Sequence, residues 1–279
     1  MSIEAQRARE ALGGRLRELR RDAGLTGRAL AALTGWQLSK ISKIEHGKQT
    51  ATEGDIRLWC RHCHGEEAVP DLVAAVRNIE SLWMEWRRAL RTGTRQRQQR
   101  SLDLYEKTHT IRVYNPNMIW GTLQTAEYAE TILRQLVGFL DDVPDDVDEG
   151  VAARMERQQY LYRGDRRFNV ILGEQALYTN VGGPSVMRGQ LDRLLAAISL
   201  PRLSLGIIPR NVPYEIWPGP MFLMFDERMV MLETYSAELT VTEPREIALY
   251  GRAFALLQRS AVYGEPARQL ITQALAELV

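Results

Sequence analysis

Residues 27–44, GRALAALTGWQLSKISKI, constrain the fold more tightly than any other stretch of this chain. Gly35 falls between two short runs with apolar residues at helical spacing, where a tight turn needs positive φ at no steric cost. Small Ala31 lets a second helix cross closely over the first. Leu30, Ile41 and Ile44 fall on the inner side, which leaves Ser39, Lys40, Ser42 and Lys43 facing outward. Around this pair the punctuation is helical. Gly24 ends a helix marked by Leu12, Leu16 and Leu19, and Thr26 caps the next. Gly47 stops the helix expected from 37 to 46, and a fourth runs from Thr52 to the vicinity of His64. Within 66–90, the period of Leu72, Val76, Ile79, Leu82, Trp83 and Trp86 predicts a further helix.

Two short helices locked around a glycine turn, with a polar outer face, carry the signature of a DNA-binding helix-turn-helix. The competing reading is an ordinary αα-hairpin. Charge favours the first. Residues 1–100 hold 19 Lys and Arg against 12 Asp and Glu, whereas the remainder holds 17 against 23. A basic front on an acidic body points to a polyanion partner for the front alone.

With LGGRLRELRRDAGLT before it and IEHGK after it, the motif resembles the Xre/phage-repressor family of five-helix domains. The resemblance implies that helix 37–46 enters the major groove of double-stranded DNA. The residues expected at the DNA are Gln37, Leu38, Ser39, Lys40, Ser42, Lys43 and Lys48. Leu38, Ser39 and Lys43 would lie nearest the base edges; Lys40, Lys48 and the arginines of 91–100 would hold phosphates. It also implies that Arg20 and Glu45 form a buried ion pair of structural role. Three positions depart from the family pattern. Gly27 replaces a phosphate-touching Gln, Gln37 stands where Ser or Thr usually caps, and Leu38 replaces a Gln that would read adenine. An interaction protein with a degenerate helix-turn-helix therefore stays open as an alternative.

RTGTRQRQQR (91–100) is basic with no apolar periodicity, which predicts a linker over 91–107 between an all-α domain (1–90, helix-turn-helix with a trailing helix) and an α+β domain (108–279). Strands are expected at 108–114, 167–173, 202–209, 220–225 and 228–234, the last two joined as a hairpin through FDER. Helices are expected at 125–138, 150–162, 184–199, 244–262 and 265–278. The segments VYNPNMIWGTLQTAEYA (113–129), VGGPSVMRGQLDRLL (181–195) and EPREIALYGRAFALL (243–257) resemble the DUF5753 domain that follows such helix-turn-helix domains in many actinobacterial regulators. Asn115 stands where Glu is common, and Trp120 where Pro is usual. The resemblance implies a developmental or secondary-metabolism transcription regulator paired with a small acidic or basic partner protein encoded nearby. A second domain that senses a small-molecule effector or that partner and aids homodimer formation is the expectation for the whole chain.

Other motifs carry less chemistry. Cys60-Arg61-His62-Cys63-His64 spells C-x-x-C-H, the spacing of c-type haem attachment. Ile56, Trp59, Cys60 and Cys63, however, stand at i, i+3, i+4 and i+7, the stripe of an amphipathic helix, so both thiols are expected in the core. Six acids in DDVPDDVDEG (141–150) lack the alternation and central glycine of a calcium loop, and a solvated loop capping the next helix is expected. Gly182-Gly183-Pro184 is expected to turn a strand into a helix. Tyr114, Trp120, Tyr128, Tyr178, Trp217 and Tyr235 are expected mainly in the core, and no carboxylate pair among Glu174, Glu233 and Glu238 is legible. With no catalytic arrangement, metal set or cofactor fingerprint, the chain is not expected to be an enzyme, although an enzyme or enzyme accessory built on the α+β domain is the remaining alternative. No signal peptide or membrane-spanning run is visible, which predicts a cytoplasmic protein.

Overall fold

The structure, a computed structural model, describes residues 3–85, 89–140 and 143–278. Trp86, Arg87, Arg88, Asp141 and Asp142 lie outside the described residues, as do the side chains of Ile79, Leu82, Trp83 and Arg100. The chain divides into two compact units, residues 1–84 with Leu239–Val241, and the rest.

The first unit is helical: α1 (Ile3–Asp22), α2 (Gly27–Thr34), α3 (Leu38–Glu45), α4 (Glu53–His62) and α5 (Val69–Leu82). The boundaries follow local chemistry. Thr26 accepts a hydrogen bond from the Ala29 amide at 3.1 Å, and Gly35 takes φ 70° to turn the chain from α2 towards α3. Thr52 and Asp55 form a reciprocal capping box at the start of α4. Leu16, Leu30, Ile41, Ile44, Ile56, Trp59, Cys60, Leu72 and Val76 bury themselves in one core. The Trp59 indole N–H donates to the Leu16 carbonyl at 3.0 Å, which lets a large ring enter the core without an orphan donor. The expected helix within 66–90 ends at Leu82, and a three-residue strand, β1 (Trp83–Glu85), follows.

Glu45 ties α3 to α1 through Arg20, with Arg17 Nε 3.8 Å from its Oε2. Arg20 donates from Nε to Glu45 Oε1 at 2.6 Å and from Nη2 to Oε2 at 3.0 Å, and its Nη1 donates to the Leu25 carbonyl at 2.6 Å. The two side chains are 10% and 7% exposed. The hydrogen bonds to Glu45 hold the Arg20 pKa above its ordinary value. The cysteines sit as the helical stripe requires, both free thiols and both buried. Burial pushes their pKa values up, that of Cys63 to about 11, which leaves inert thiols.

The second unit is α+β. Its elements are α6 (Thr94–Glu106), β2 (Thr110–Asn115), α7 (Ala126–Phe139), α8 (Val147–Arg157), β3 (Arg167–Gly173), α9 (Gln175–Tyr178), α10 (Pro184–Ala197), β4 (Leu203–Ile208), β5 (Phe222–Phe225), β6 (Met229–Glu233), the start of β7 (Ala237–Val241, whose last three residues fall with the first unit), α11 (Pro244–Ser260) and α12 (Gly264–Ala276). Through this unit the strand order is β7-β6-β5-β2-β3-β4. β3 runs parallel to β2 and β4, and β5 runs antiparallel to β2 and β6. The alternation of Ile111, Val113, Phe168, Val170 and Leu172 feeds a core shared with α6, α7, α10 and α12. Tyr114 pairs with Phe222, whose ring meets Tyr250 and Phe254 of α11 at 5.2 and 6.5 Å. Asp226, at φ 52°, turns the β5–β6 hairpin and accepts from the Thr110 amide at 2.8 Å.

The basic stretch expected to be a linker is the main departure. From Thr94 it is helix α6, and Thr94, Gln98, Ser101, Leu102 and Tyr105 are its buried face. That stripe is largely polar, so apolar periodicity could not reveal it. Its N-terminus is capped from a distance by Asp146, whose Oδ1 accepts from the Thr94 amide at 2.6 Å and the Thr94 hydroxyl at 2.7 Å. Asp146 Oδ2 accepts from the Arg95 amide at 3.0 Å. Gly150 permits the approach, since a Cβ there would lie 2.2 Å from Thr94 Oγ1. The acidic run thus supplies a cap across the fold, and Asp146 makes no side-chain cap bond to α8, the helix it precedes. The turn at Gly182-Gly183-Pro184 opens α10 as expected, but it follows the short helix α9 and not a strand.

Two predictions follow from these contacts. Glu45→Ala strands the Arg20 guanidinium and should cost about 3 kcal/mol or more in urea denaturation, while Arg20→Met combined with Glu45→Leu should cost far less. Burial alone would raise the Asp146 carboxyl, but the Thr94 and Arg95 hydrogen bonds outweigh it and hold the carboxyl below its ordinary value. Its stabilisation is therefore present above the unfolded carboxylate pKa of about 3.9 and lost as pH falls through the lower folded value. Asp146→Asn should cost about 1 kcal/mol at neutral pH and flatten the acid limb of the stability curve.

Candidate nucleic-acid interface

α3 presents its polar face because its apolar face is occupied. Ile41 and Ile44 are 1% and 2% exposed against Leu30 and Ala31 of α2, and Glu45 is held by Arg20. Rotation of α3 about its axis would drag all of these into water, so the outward set is fixed by the inward one. Gln37, Leu38, Ser39, Ser42 and Lys43 are exposed along one side, and Lys48 is exposed just past Gly47. The structure therefore brings together six of the seven residues singled out in the sequence.

Lys40 is the exception. Its ammonium lies 2.7 Å from Asp55 Oδ1 and 4.0 Å from the centroid of the Trp36 ring. Asp55 is itself a capping residue of α4, so Lys40 is tied into the packing of the domain. Burial works against the ionised Asp55, but the hydrogen bonds from Lys40 and Thr52 prevail and hold its pKa below the ordinary carboxylate value. Of the arginines in 91–100, Arg97 is likewise engaged, by Glu238 and Glu233 within the second unit.

The departures at Gly27, Gln37 and Leu38 prove to be neighbours. A Cβ on Gly27 would meet Leu38 Cδ1 at 3.4 Å, so the leucine side chain lies against the start of α2. Leu38 remains 47% exposed, and Leu33 on α2 is 51% exposed. Gln37 makes no side-chain cap bond, which leaves amide donors at the N-terminus of α3 without a protein partner from that side chain. Arg28, exposed in the first turn of α2, is a cation beside this region that motif reading passed over. Its signal was its place directly after the Thr26-Gly27 helix start. At the far end of α3, His46 Nδ1 lies 2.7 Å from the Ser42 carbonyl.

The candidates in the second unit resolve into packing. Asn115, buried, accepts through Oδ1 from the Asn117 and Met118 amides at 3.3 and 3.1 Å. Trp120 stacks on Tyr105 at 6.4 Å. Tyr114 and Tyr128 are core, whereas Trp217 and Tyr235 are 79% and 89% exposed. Glu233 and Glu238 converge on Arg97, and Glu174 sits apart with Arg210. Among the described residues no cluster of three metal-ligating side chains exists, and no helix is long and apolar enough to cross a membrane.

Comparison with known proteins agrees with this division. Residues 11–72 match a helix-turn-helix domain family, and residues 98–273 match a family described as a domain of unknown function, DUF5753. None of the curated proteins matches the chain. A solved structure of TrmBL2, described as an archaeal chromatin protein with a novel mode of DNA binding, aligns over 86% of this chain and 88% of its own. Its identity is 12% and its TM-score 0.33, too slight a likeness to bear on function. With the matched region spanning most of the chain, the protein belongs to the DUF5753 family and carries a helix-turn-helix domain ahead of it.

Proposed function

We propose that this protein is a sequence-specific transcription regulator of the Xre type that reads operator DNA through α3. The observation that carries the reading is the pairing of a buried, ion-paired inner face on α3 with an exposed, mostly polar outer one. Ser39, Ser42 and Lys43 then contact base edges, and Leu38 offers an apolar contact such as a thymine methyl accepts. Lys48, Arg28 and the amides at the start of α3 contact phosphates, which position the domain without reading sequence. Paired half-sites would be served by a homodimer, and the second unit would couple DNA binding to an effector or small partner protein.

The exposed Leu33 and Leu38 favour a second reading, in which the same face docks a protein. A gel shift with the protein's own upstream region, across salt concentrations, separates the two. Sequence-selective binding that weakens steeply with salt supports the regulator; absence of preference at every salt concentration, with a co-purifying protein lost on Leu38→Lys, supports the second. In the same assay Lys43→Ala should relax discrimination at particular bases by about 1–3 kcal/mol. Lys48→Ala should weaken all sequences alike and reduce the salt slope by about 1. Lys40→Met, which removes a cation already held by Asp55, should change the salt slope less than Lys48→Ala does.

A further inference from the structure

Within the second unit, α6 and α8 bring three arginines towards one point. Arg154 and Arg157 stand at i and i+3 on the last turns of α8, and Arg97 faces them from α6. The carboxylates of Glu238 and Glu233 go to Arg97. Among the described residues neither Arg154 nor Arg157 has a carboxylate within 4 Å, and the Nε of each is buried without a hydrogen-bond partner. Arg157 is 8% exposed and carries no side-chain hydrogen bond to a described residue; its guanidinium lies 5.4 Å from the centroid of the Tyr105 ring. Arg154 donates from Nη1 to Gln124 Oε1 at 2.7 Å and is half-buried.

The floor is the turn GTLQT. A Cβ on Gly121 would lie 3.1 Å from Arg157 Nη2 and 3.8 Å from Arg154 Nε, so both guanidiniums lie against its backbone. Gln158 donates to the Gln124 carbonyl at 2.5 Å, and Tyr105 shares a hydrogen bond with Thr122 at 2.8 Å. These contacts hold the turn and both helices in place around the cations. Burial lowers the pKa of both arginines, that of Arg154 to about 9; neighbouring arginine charge adds to the effect, and the more distant Glu233 carboxylate opposes it without reversing it. A packed interior stabilises such a cation poorly unless something anionic completes it.

We propose that Arg154 and Arg157, against the Gly121–Gln124 turn, form a binding site for an oxyanion group, carboxylate or phosphate, of a small effector. Planar guanidinium forks match the paired oxygens of either group. The inference rests on the reading of the second unit as the effector-sensing part and supplies the chemistry of that effector.

Isothermal titration of the full chain with inorganic phosphate and, separately, with succinate tests it, ionic strength being matched with chloride. A saturable heat with one or both is expected, and the pattern tells phosphoryl from carboxylate recognition. Arg157→Met should weaken that binding on the order of tenfold or more. In the absence of either probe its thermal midpoint should equal or exceed that of the wild type, because an unpaired buried charge has been removed. Arg154→Met, at the more exposed position, should lose binding likewise and serves if the first variant does not fold. No saturable heat with either probe, binding retained in both variants, or a lowered midpoint of folded Arg157→Met without probe would overturn the site. The operator gel shift run on the same preparations keeps the two readings apart: anion binding without DNA binding sinks the regulator alone, and DNA binding without anion binding sinks this site alone.

Discussion

The bidentate contact between Arg20 and Glu45 sets the orientation on which the helix-turn-helix depends. A helix of eight residues has little intrinsic stability in water, so its orientation comes from what it is tied to. The apolar contacts of Ile41 and Ile44 hold α3 against the core, but apolar packing is non-directional and tolerates small rotations. The planar fork does not: two parallel hydrogen bonds to a buried carboxylate exist at one angle and one height. Arg20 also reaches the Leu25 carbonyl, so the same guanidinium fixes the turn into α2. The side chains on the outer face inherit their positions from this inner contact.

A comparable role in the second unit falls to Asp146, which caps a helix more than forty residues away in the chain. Its carboxylate binds α6 to the start of α8, and Gly150 lets the two helices meet closely enough for it to do so. The same docking brings Arg97 opposite Arg154 and Arg157. The acidic run therefore acts at long range on the placement of three cations, even though its charges suggest at first a solvated loop or a metal ligand set.

Legibility followed the kind of side chain that fills each interior. Strand β3 was readable at both ends, because Phe168, Val170 and Leu172 alternate in the chain as they do in space. Helix α4 was readable for the same reason, and the C-x-x-C-H spacing dissolved into its core stripe through Cys60 and Cys63. Helix α6 was not, since its buried face includes the polar Thr94, Gln98 and Ser101, and the partner that holds Thr94, Asp146, is distant in sequence. At the candidate site the positions of Leu38, Ser39, Ser42 and Lys43 were legible from the turn and the helical period. The diversion of Lys40 was not, because Asp55 lies fifteen residues on and is brought back only when α4 packs beside α3.

The sequence by itself determined many of the elements: where the first four helices stop, where three of them start, five of the strands, and which residues of α3 face outward. These depend on caps, glycines and apolar spacing, all local. Only the tertiary structure decided which charges are free. Lys40 and Arg97 read alike in a charge count with the free cations, yet each is consumed by a carboxylate from another element, whereas the pairing of Arg20 with Glu45 was already expected from the family resemblance. Among the described residues, buried Arg157 and half-buried Arg154 have no carboxylate within 4 Å. An ion pair needs two groups within a few ångströms, and that distance is set by packing between segments far apart in the chain.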